Sequence, residues 1–264
     1  MRLNEKVVAI VGAGQTPGET IGNGRAAAIR FAREGARLIL ADRNVDSAEE
    51  TRAMLKADGF DAMVVHADVN LESDCAGIVA ATVDQHGHLD VLHYNVGRSE
   101  GDSEVATLDV EQWDEIMSMN LRGFYLCSKH ALSVMRPQKS GVVLCISSAA
   151  ALTSGSNMTY KTSKAGMNAL VQSMAINNGP YGIRVNAIMP GLMDTPMAIE
   201  RRARERSVDR DVIREERNRS VPLLGKMGTA WDVASAAVFL ASDEASYITG
   251  VALAVDGGVT ARVG

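Results

Sequence analysis

Cysteine, aromatic residues and surplus positive charge are all scarce in this chain, and each shortage removes a class of function. The three cysteines, Cys75, Cys127 and Cys145, have no Cys-x-x-Cys spacing among them. That argues against a disulfide framework and against a zinc site, so they read as reduced, buried thiols and no metal is expected. Lysine and arginine number 27 against 32 acids, a net charge of -5. Aromatics are 4% of residues and no basic run is interleaved with them, so the electrostatic footprint of a nucleic-acid binder is missing. No apolar run approaches the roughly 18 residues of a membrane span, and the polar residues 1–6 do not form a signal peptide. Together these shortages predict a cytoplasmic protein with a small-molecule partner, and neither nucleic acid nor membrane as ligand.

What is present is alternation. A chain of 264 residues with 46% hydrophobic content can bury a sizeable core, and a single α/β domain over 1–264 accounts for it. Residues 7–11 are a β-branched run ending in Gly12, and 24–34 have helical periodicity. Between them lies a glycine-dense turn, with Gly12, Gly14, Gly18, Gly22 and Gly24, where missing side chains would let a pyrophosphate approach backbone amides at a helix N-terminus. A plain flexible loop is the competing reading, disfavoured because strand and helix flank the turn. A second strand, 37–42, ends in Asp42, whose carboxylate can accept hydrogen bonds from the adenosine ribose hydroxyls and would repel a 2′-phosphate. NAD is therefore expected over NADP, although Arg43 could pair with such a phosphate.

The units then repeat. Strand 62–67 leads to Asp68-Val69, strand 89–93 to Tyr94-Asn95-Val96-Gly97, strand 142–146 to Ser147-Ser148 and strand 183–188 to Met189-Pro190-Gly191, with helices over 47–58, 72–86, 113–135, 160–177 and 231–241 and a last strand over 252–255. This order predicts a doubly wound parallel sheet with helices on both faces. Ligands bind at the carboxyl ends of such strands, where Asp42, Asp68, Asn95, Ser148 and Pro190 all fall. Tyr160 and Lys164, four apart on one helix face, add a chemical possibility. An ammonium within about 4 to 6 Å can lower a phenol from its usual pKa near 10 by roughly 1 to 3 units, towards the range of efficient acid–base catalysis.

In this order and near these spacings, the glycine turn, Asp68-Val69, Asn95-Val96-Gly97, Asn120, Ser148, Tyr160 with Lys164, Pro190-Gly191 with Thr195, and Thr249-Gly250 before Asp256-Gly257-Gly258 resemble the short-chain dehydrogenase/reductase family over essentially the whole chain. The resemblance implies a single-domain Rossmann-fold oxidoreductase that moves hydride between a nicotinamide and an alcohol or carbonyl carbon, often as a homotetramer, with the long helices at Trp113 and Tyr160 available to pair across two-fold axes. It implies that Tyr160 is the acid/base, that Lys164 lowers its pKa and binds the nicotinamide ribose, that Ser148 orients the substrate oxygen, and that Asn120 holds a water continuing the relay. By the same resemblance Asp68 and Val69 contact adenine, Asn95 and Gly97 line the adenosine side, Pro190 and Gly191 flank the nicotinamide, and Thr195 bonds its carboxamide.

Four departures accompany it. Val11 stands where a threonine is usual, and the glycine turn is about six residues longer, with Gly12, Gly22 and Gly24 as its best anchors and Gly14 and Gly18 as competitors. In the lengthened part, Glu19 would be unfavourable near a pyrophosphate unless it faces water or pairs with a cation. Tyr94 and Val96 replace smaller residues. Ser148 precedes Tyr160 by 12 residues and Ser147 by 13; Ser148 is preferred, with the shortening placed in loop 149–159.

Specificity should come from the loops after Gly97, Ser148 and Pro190. Ala149, Ala150, Leu152, Met189, Leu192, Met193 and Met197 read either as an apolar pocket or as core. Within a lid segment at about 191–222, eight arginines (201, 202, 204, 206, 210, 214, 217, 219) face five acids (205, 209, 211, 215, 216). Such mixed signs favour a helical lid with salt-bridged solvent faces over a reader of anionic substrate. The resulting expectation is an NAD-dependent dehydrogenase or reductase of a secondary alcohol or ketone, against an NADP-linked keto/acyl reductase or a catalytically silent, NAD-binding regulator.

Overall fold

Five consecutive apolar residues can all be buried only where helices cover both faces of a strand. In the computed structural model, which describes residues 1–153 and 157–262, β1 (Val7–Val11) is such a strand. Its side chains alternate, Val8 and Ile10 entering one apolar cluster and Ala9 and Val11 the other. Around it run β2 (Arg37–Asp42), β3 (Ala62–His66), β4 (Val91–Tyr94), β5 (Gly141–Ile146) and β6 (Ile183–Pro190). Two short strands, β7 (Met193–Asp194) and β8 (Gly228–Thr229), pair with each other, and β9 (Ala252–Val255) closes the main sheet. The spatial order is β3-β2-β1-β4-β5-β6-β9, with every pairing parallel.

Helices α1 (Asn23–Arg33) and α2 (Val45–Ala57) cover one face, joined there by the last helix through Val233, Ala237 and Leu240. The other face is covered by α3 (Glu72–His86) and by helices contributing Phe124 and Cys127, then Met167 and Val171. All three cysteines are unpaired and buried in or against this second layer. Because the chain passes from β3 at one edge back to β4 beside β1, the strand order reverses at β1, and a crevice opens there above the carboxyl ends.

One expectation is corrected. The helix expected over 113–135 is broken into α4 (Val110–Met117), a π turn (Ser118–Arg122) and α5 (Gly123–Gln138). The widened turn offers the Met119 carbonyl to the buried Tyr94 phenol, which donates to it at 2.5 Å, so the bulky replacement at 94 has its polar end satisfied. The next helix, α6 (Met158–Asn178), is unbroken. The charged segment, expected as a helical lid with salt-bridged solvent faces, is helical in two pieces. It folds as α7 (Pro196–Arg206) and α8 (Arg210–Arg219), which share an apolar seam of Ile199, Ala203 and Ile213 with Val221 and Met227. Finally α9 (Ala230–Ala241) begins with a Thr229/Asp232 capping box.

Candidate active site

The crevice is a cleft of about 650 Å³ running from the glycine turn to α7 and α8. At the β1 end Gly12 has φ +84°, and a Cβ on Gly24 would stand 1.9 Å from the Gly12 carbonyl oxygen, so the turn closes on itself only with glycine at both places. Asn95 Nδ2 donates to that same oxygen at 3.0 Å. Gly22 caps α1 and donates its N–H to Gln15 Oε1 at 2.7 Å, while Gln15 Nε2 reaches Thr20 O, so one glutamine ties the lengthened turn together. Of the two competing glycines, Gly14 also lines the cleft and donates to Asp42 Oδ2 at 2.8 Å, whereas Gly18 lies against Pro196 and Glu200 of α7. Glu19 is paired with a cation, its carboxylate 3.0 Å from both Arg210 and Arg214. Asp42 also accepts from the Asn44 amide at 2.9 Å, and Arg43, Asp68 and Val69 line the same end.

At the other end Tyr160 and Lys164 share one face of α6, with Nζ 5.6 Å from the phenol ring centre. Lys164 is fully buried and donates to Ile146 O at 2.7 Å and Val96 O at 3.4 Å; burial pulls its pKa down to about 8. A Cβ on Gly97 would lie 2.9 Å from Nζ, so glycine there leaves the amine room. Burial raises the Tyr160 phenol above its ordinary value, against which work a hydrogen bond with Ser148 and the positive charges of Arg201 and Arg202. Arg201 and Arg202 of α7 thus add positive charge near the phenol beside the Lys164 expected there.

The two serines divide by face. Ser147 Oγ points into the fold and donates to Lys164 O at 3.1 Å, whereas Ser148 stands beside the phenol and accepts from the Ala150 amide. Residues 154–156 of the shortened loop lie outside the described residues. Asn120, on the π turn, accepts from Arg98 N at 2.8 Å and donates to Arg98 O and Ser163 Oγ, each at 3.0 Å. Both of its amide hydrogens are therefore bonded within the chain, fixing the loop after β4 to α6. Pro190, Gly191 and Thr195 line the cleft, as do Ala149, Ala150, Leu192, Met193 and Met197. Leu152 is exposed and Met189 is core, its sulfur accepting from Asn168.

Three features escaped the sequence reading. Asp102, from the loop after β4, accepts from the amides of Thr159 and Tyr160 at 3.1 and 2.8 Å and so caps α6 from a distance. Ser163 joins Asn120 to the Tyr160 carbonyl, and its place inside Tyr160-Lys161-Thr162-Ser163-Lys164 was the available signal. Arg201, Arg202 and Arg217 turn into the cleft. Among the described residues no group of three or more His, Cys, Asp or Glu is arranged to hold a metal, and no helix is long and apolar enough to cross a membrane.

The family model described as enoyl-(acyl carrier protein) reductase matches residues 19–260. The chain is 37% identical over 249 residues to 2-(R)-hydroxypropyl-CoM dehydrogenase of Xanthobacter autotrophicus, covering 92% of this chain and 96% of that one. It is 33% identical over 263 residues to levodione reductase of Leifsonia aquatica, covering 98% and 96%. Among solved structures, a short-chain dehydrogenase/reductase from Burkholderia xenovorans superposes with a TM-score of 0.93 at 35% identity, covering 100% of this chain and 99% of that one. The crystal structure of levodione reductase superposes at 0.92 and 33% identity, covering 99% and 100%.

Proposed function

Since the chain belongs to the short-chain dehydrogenase/reductase family and is an oxidoreductase of that type, we propose that it interconverts a secondary alcohol and its ketone with NAD(H) as cofactor. The observation that carries this reading is one cleft with Asp42 at one end and Tyr160, Ser148 and Lys164 at the other. The residues present fit a dinucleotide: the close approach of Gly24 to Gly12 leaves the turn open to a phosphate, and Asp42, Asp68, Val69 and Asn95 line the same cleft, where they would flank the adenosine. Asp42, anchored by two amides, keeps a carboxylate where a 2′-phosphate would be repelled, which supports NAD over NADP.

The bound nicotinamide would accept or donate the hydride at the carbinol carbon. In the oxidising direction alcohol and NAD become ketone, NADH and one proton, and that proton leaves the substrate oxygen through Tyr160. Ser148 orients the same oxygen, and the cations around the phenol offset part of the rise in its pKa that burial imposes. Lys164 binds the nicotinamide ribose, Pro190, Gly191 and Thr195 flank the nicotinamide, Gly97 lines the adenosine side, and Asn120 holds the loop that shapes the site. The segment 191–222 acts as the lid, and α7 with its arginines closes the substrate end.

The assembly proposed is a cytoplasmic homotetramer, supported by large apolar side chains left exposed on the two long helices, Tyr125 at 49% and Ile176 at 78%. The test of the function follows NADH formation with NAD, and NADPH formation with NADP, across a panel of secondary alcohols. Turnover with NAD that falls about 10²- to 10⁴-fold in Tyr160→Phe, with NADH binding retained, supports the reading. Turnover equal in Tyr160→Phe and wild type removes it.

A further inference from the structure

The arginine-rich segment separates into two populations. Arg206, Arg210, Arg214 and Arg219 face outward and each meets a carboxylate: Glu216, Glu200 with Glu19, Glu19 with Asp194, and Glu215. Arg204 pairs with Glu100 at 3.4 Å. The remaining three point inward. Arg201 is 9% exposed and donates to Ser99 Oγ at 2.8 Å; the one carboxylate near it, Glu205, lies 3.5 Å from Nε and half exposed, and makes no hydrogen bond to that nitrogen. Arg202 donates to the Ala198 carbonyl, and Arg217 to Met193 O at 3.5 Å and the Met227 sulfur. Among the described residues neither has a carboxylate within 4.0 Å.

All three line the cleft; burial lowers the proton affinity of Arg202 and Arg217, the charge of Arg201 adds to this at both and that of Arg202 at Arg217, and Arg201 and Arg202 also act on the Tyr160 phenol. The acids lining this cleft do not neutralise them: Asp42 and Asp68 are at the adenosine end and Glu100 is held by Arg204. A guanidinium cannot escape desolvation by losing its proton, since its pKa stays above neutrality even when lowered. Three of them brought together, with only the half-exposed Glu205 carboxylate beside Arg201 and, among the described residues, none within 4.0 Å of the other two, are costly unless an anion is the intended partner. Their forked N–H groups match the oxygens of a carboxylate, sulfonate or phosphate.

We propose that Arg201, Arg202 and Arg217 form an oxyanion subsite at the substrate end of the cleft, and that the substrate is a secondary alcohol or ketone bearing a carboxylate, sulfonate or phosphate group. This rests on the dehydrogenase reading above. The anion sits among the guanidiniums while the reacting oxygen sits at Tyr160 and Ser148, and the apolar Met193 and Met197 face the carbon chain between them.

The experiment compares, with NAD, a homologous series of secondary alcohols ending in carboxylate, sulfonate or phosphate with the neutral methyl esters of the same chains. The expected result is a KM for the best anionic member roughly 10- to 100-fold below that of its ester. That ratio collapses towards one in Arg202→Gln and Arg217→Gln and persists in Arg210→Gln, an outward arginine. Equal KM for acid and ester in the wild type overturns the subsite and leaves the dehydrogenase standing. If no alcohol is turned over, the dehydrogenase reading fails, and binding decides the subsite separately. Thermal melting is followed with methanesulfonate, acetate or phosphate against chloride at fixed ionic strength. A saturable rise in the wild type that is lost in both inward variants supports the subsite, and no rise, or one equal in variant and wild type, overturns it. Without added anion the inward variants melt no lower than wild type, because each removes an unpaired charge; a purely structural role would lower them.

Discussion

The two ends of the cleft treat polar groups in opposite ways. At the adenosine end most polar groups are bonded within the chain before any ligand arrives, the Asn23 side-chain oxygen excepted: Asp42 holds the amides of Gly14 and Asn44, Gln15 spans the lengthened turn, and Asn95 holds Gly12. At the substrate end Arg202 and Arg217 have only carbonyls or sulfur as partners. An end largely complete in itself presents a preformed shape, which suits a cofactor that is the same in every turnover. An end left with positive charge demands a particular substrate, so specificity is most concentrated there.

The largest effect expected from this contrast concerns a third way to lack a partner. His93, on β4, is buried with neither ring nitrogen bonded among the described residues, packed edge-on to Phe31 at 5.6 Å. Unlike an arginine it can stay neutral, and burial depresses its pKa to about 4. The unfolded chain, with an ordinary histidine near 6.5, binds that proton first, so the stability this group contributes is complete above about pH 6.5 and is lost as pH falls towards 4, by about 3 kcal/mol in all. Denaturation followed between those pH values should show this slope in the wild type and its disappearance in His93→Leu. A slope equal in both would place the acid sensitivity elsewhere.

A smaller effect probes the complete end. Asp42→Asn keeps an oxygen for one of the two amides and removes the charge. The preference for NAD over NADP, measured as a ratio of kcat/KM values, should fall by roughly 10- to 100-fold, the range of a hydrogen bond to a charged group. Arg43, exposed at the rim, is then free to favour the phosphate. An unchanged ratio would mean that discrimination is not electrostatic.

Which of these features the sequence revealed follows from their range. β2 was legible to the residue, since an apolar run ending in Asp42 is a local pattern, and Tyr160 with Lys164 needed only helical spacing. The break in the helix at Ser118–Arg122 was not legible, because it is bound up with the Tyr94 phenol meeting the Met119 carbonyl, 25 residues away. Mixed charges over 201–219 concealed the orientation of each arginine. The seam of Ile199, Ala203 and Ile213 sets that orientation, and its meaning appears only when α7 and α8 pack. The strands β7 and β8, two residues each, are too short to carry any periodicity.

Asp102 is the clearest case of a contribution hidden by distance, and it carries the mildest prediction. The residue at the N-cap of α6, Asn157, makes no side-chain capping bond, so the amides of Thr159 and Tyr160 depend on a carboxylate 57 and 58 positions earlier. A carboxylate there also meets the positive end of the helix dipole. Asp102→Ala should cost about 1 kcal/mol, a fall in melting temperature of roughly 2 to 4 °C for a domain of this size. Because the bonded amide belongs to Tyr160 itself, a frayed first turn moves the phenol relative to Ser148, while the β1 end, built from other elements, is untouched. The expected signature is a several-fold lower kcat with NADH affinity unchanged, partly restored in Asp102→Asn, which keeps one acceptor oxygen. If NADH affinity falls in step with kcat, the two ends are not independent, and the Glu19 pairs with Arg210 and Arg214 are the physical link through which one end disturbs the other.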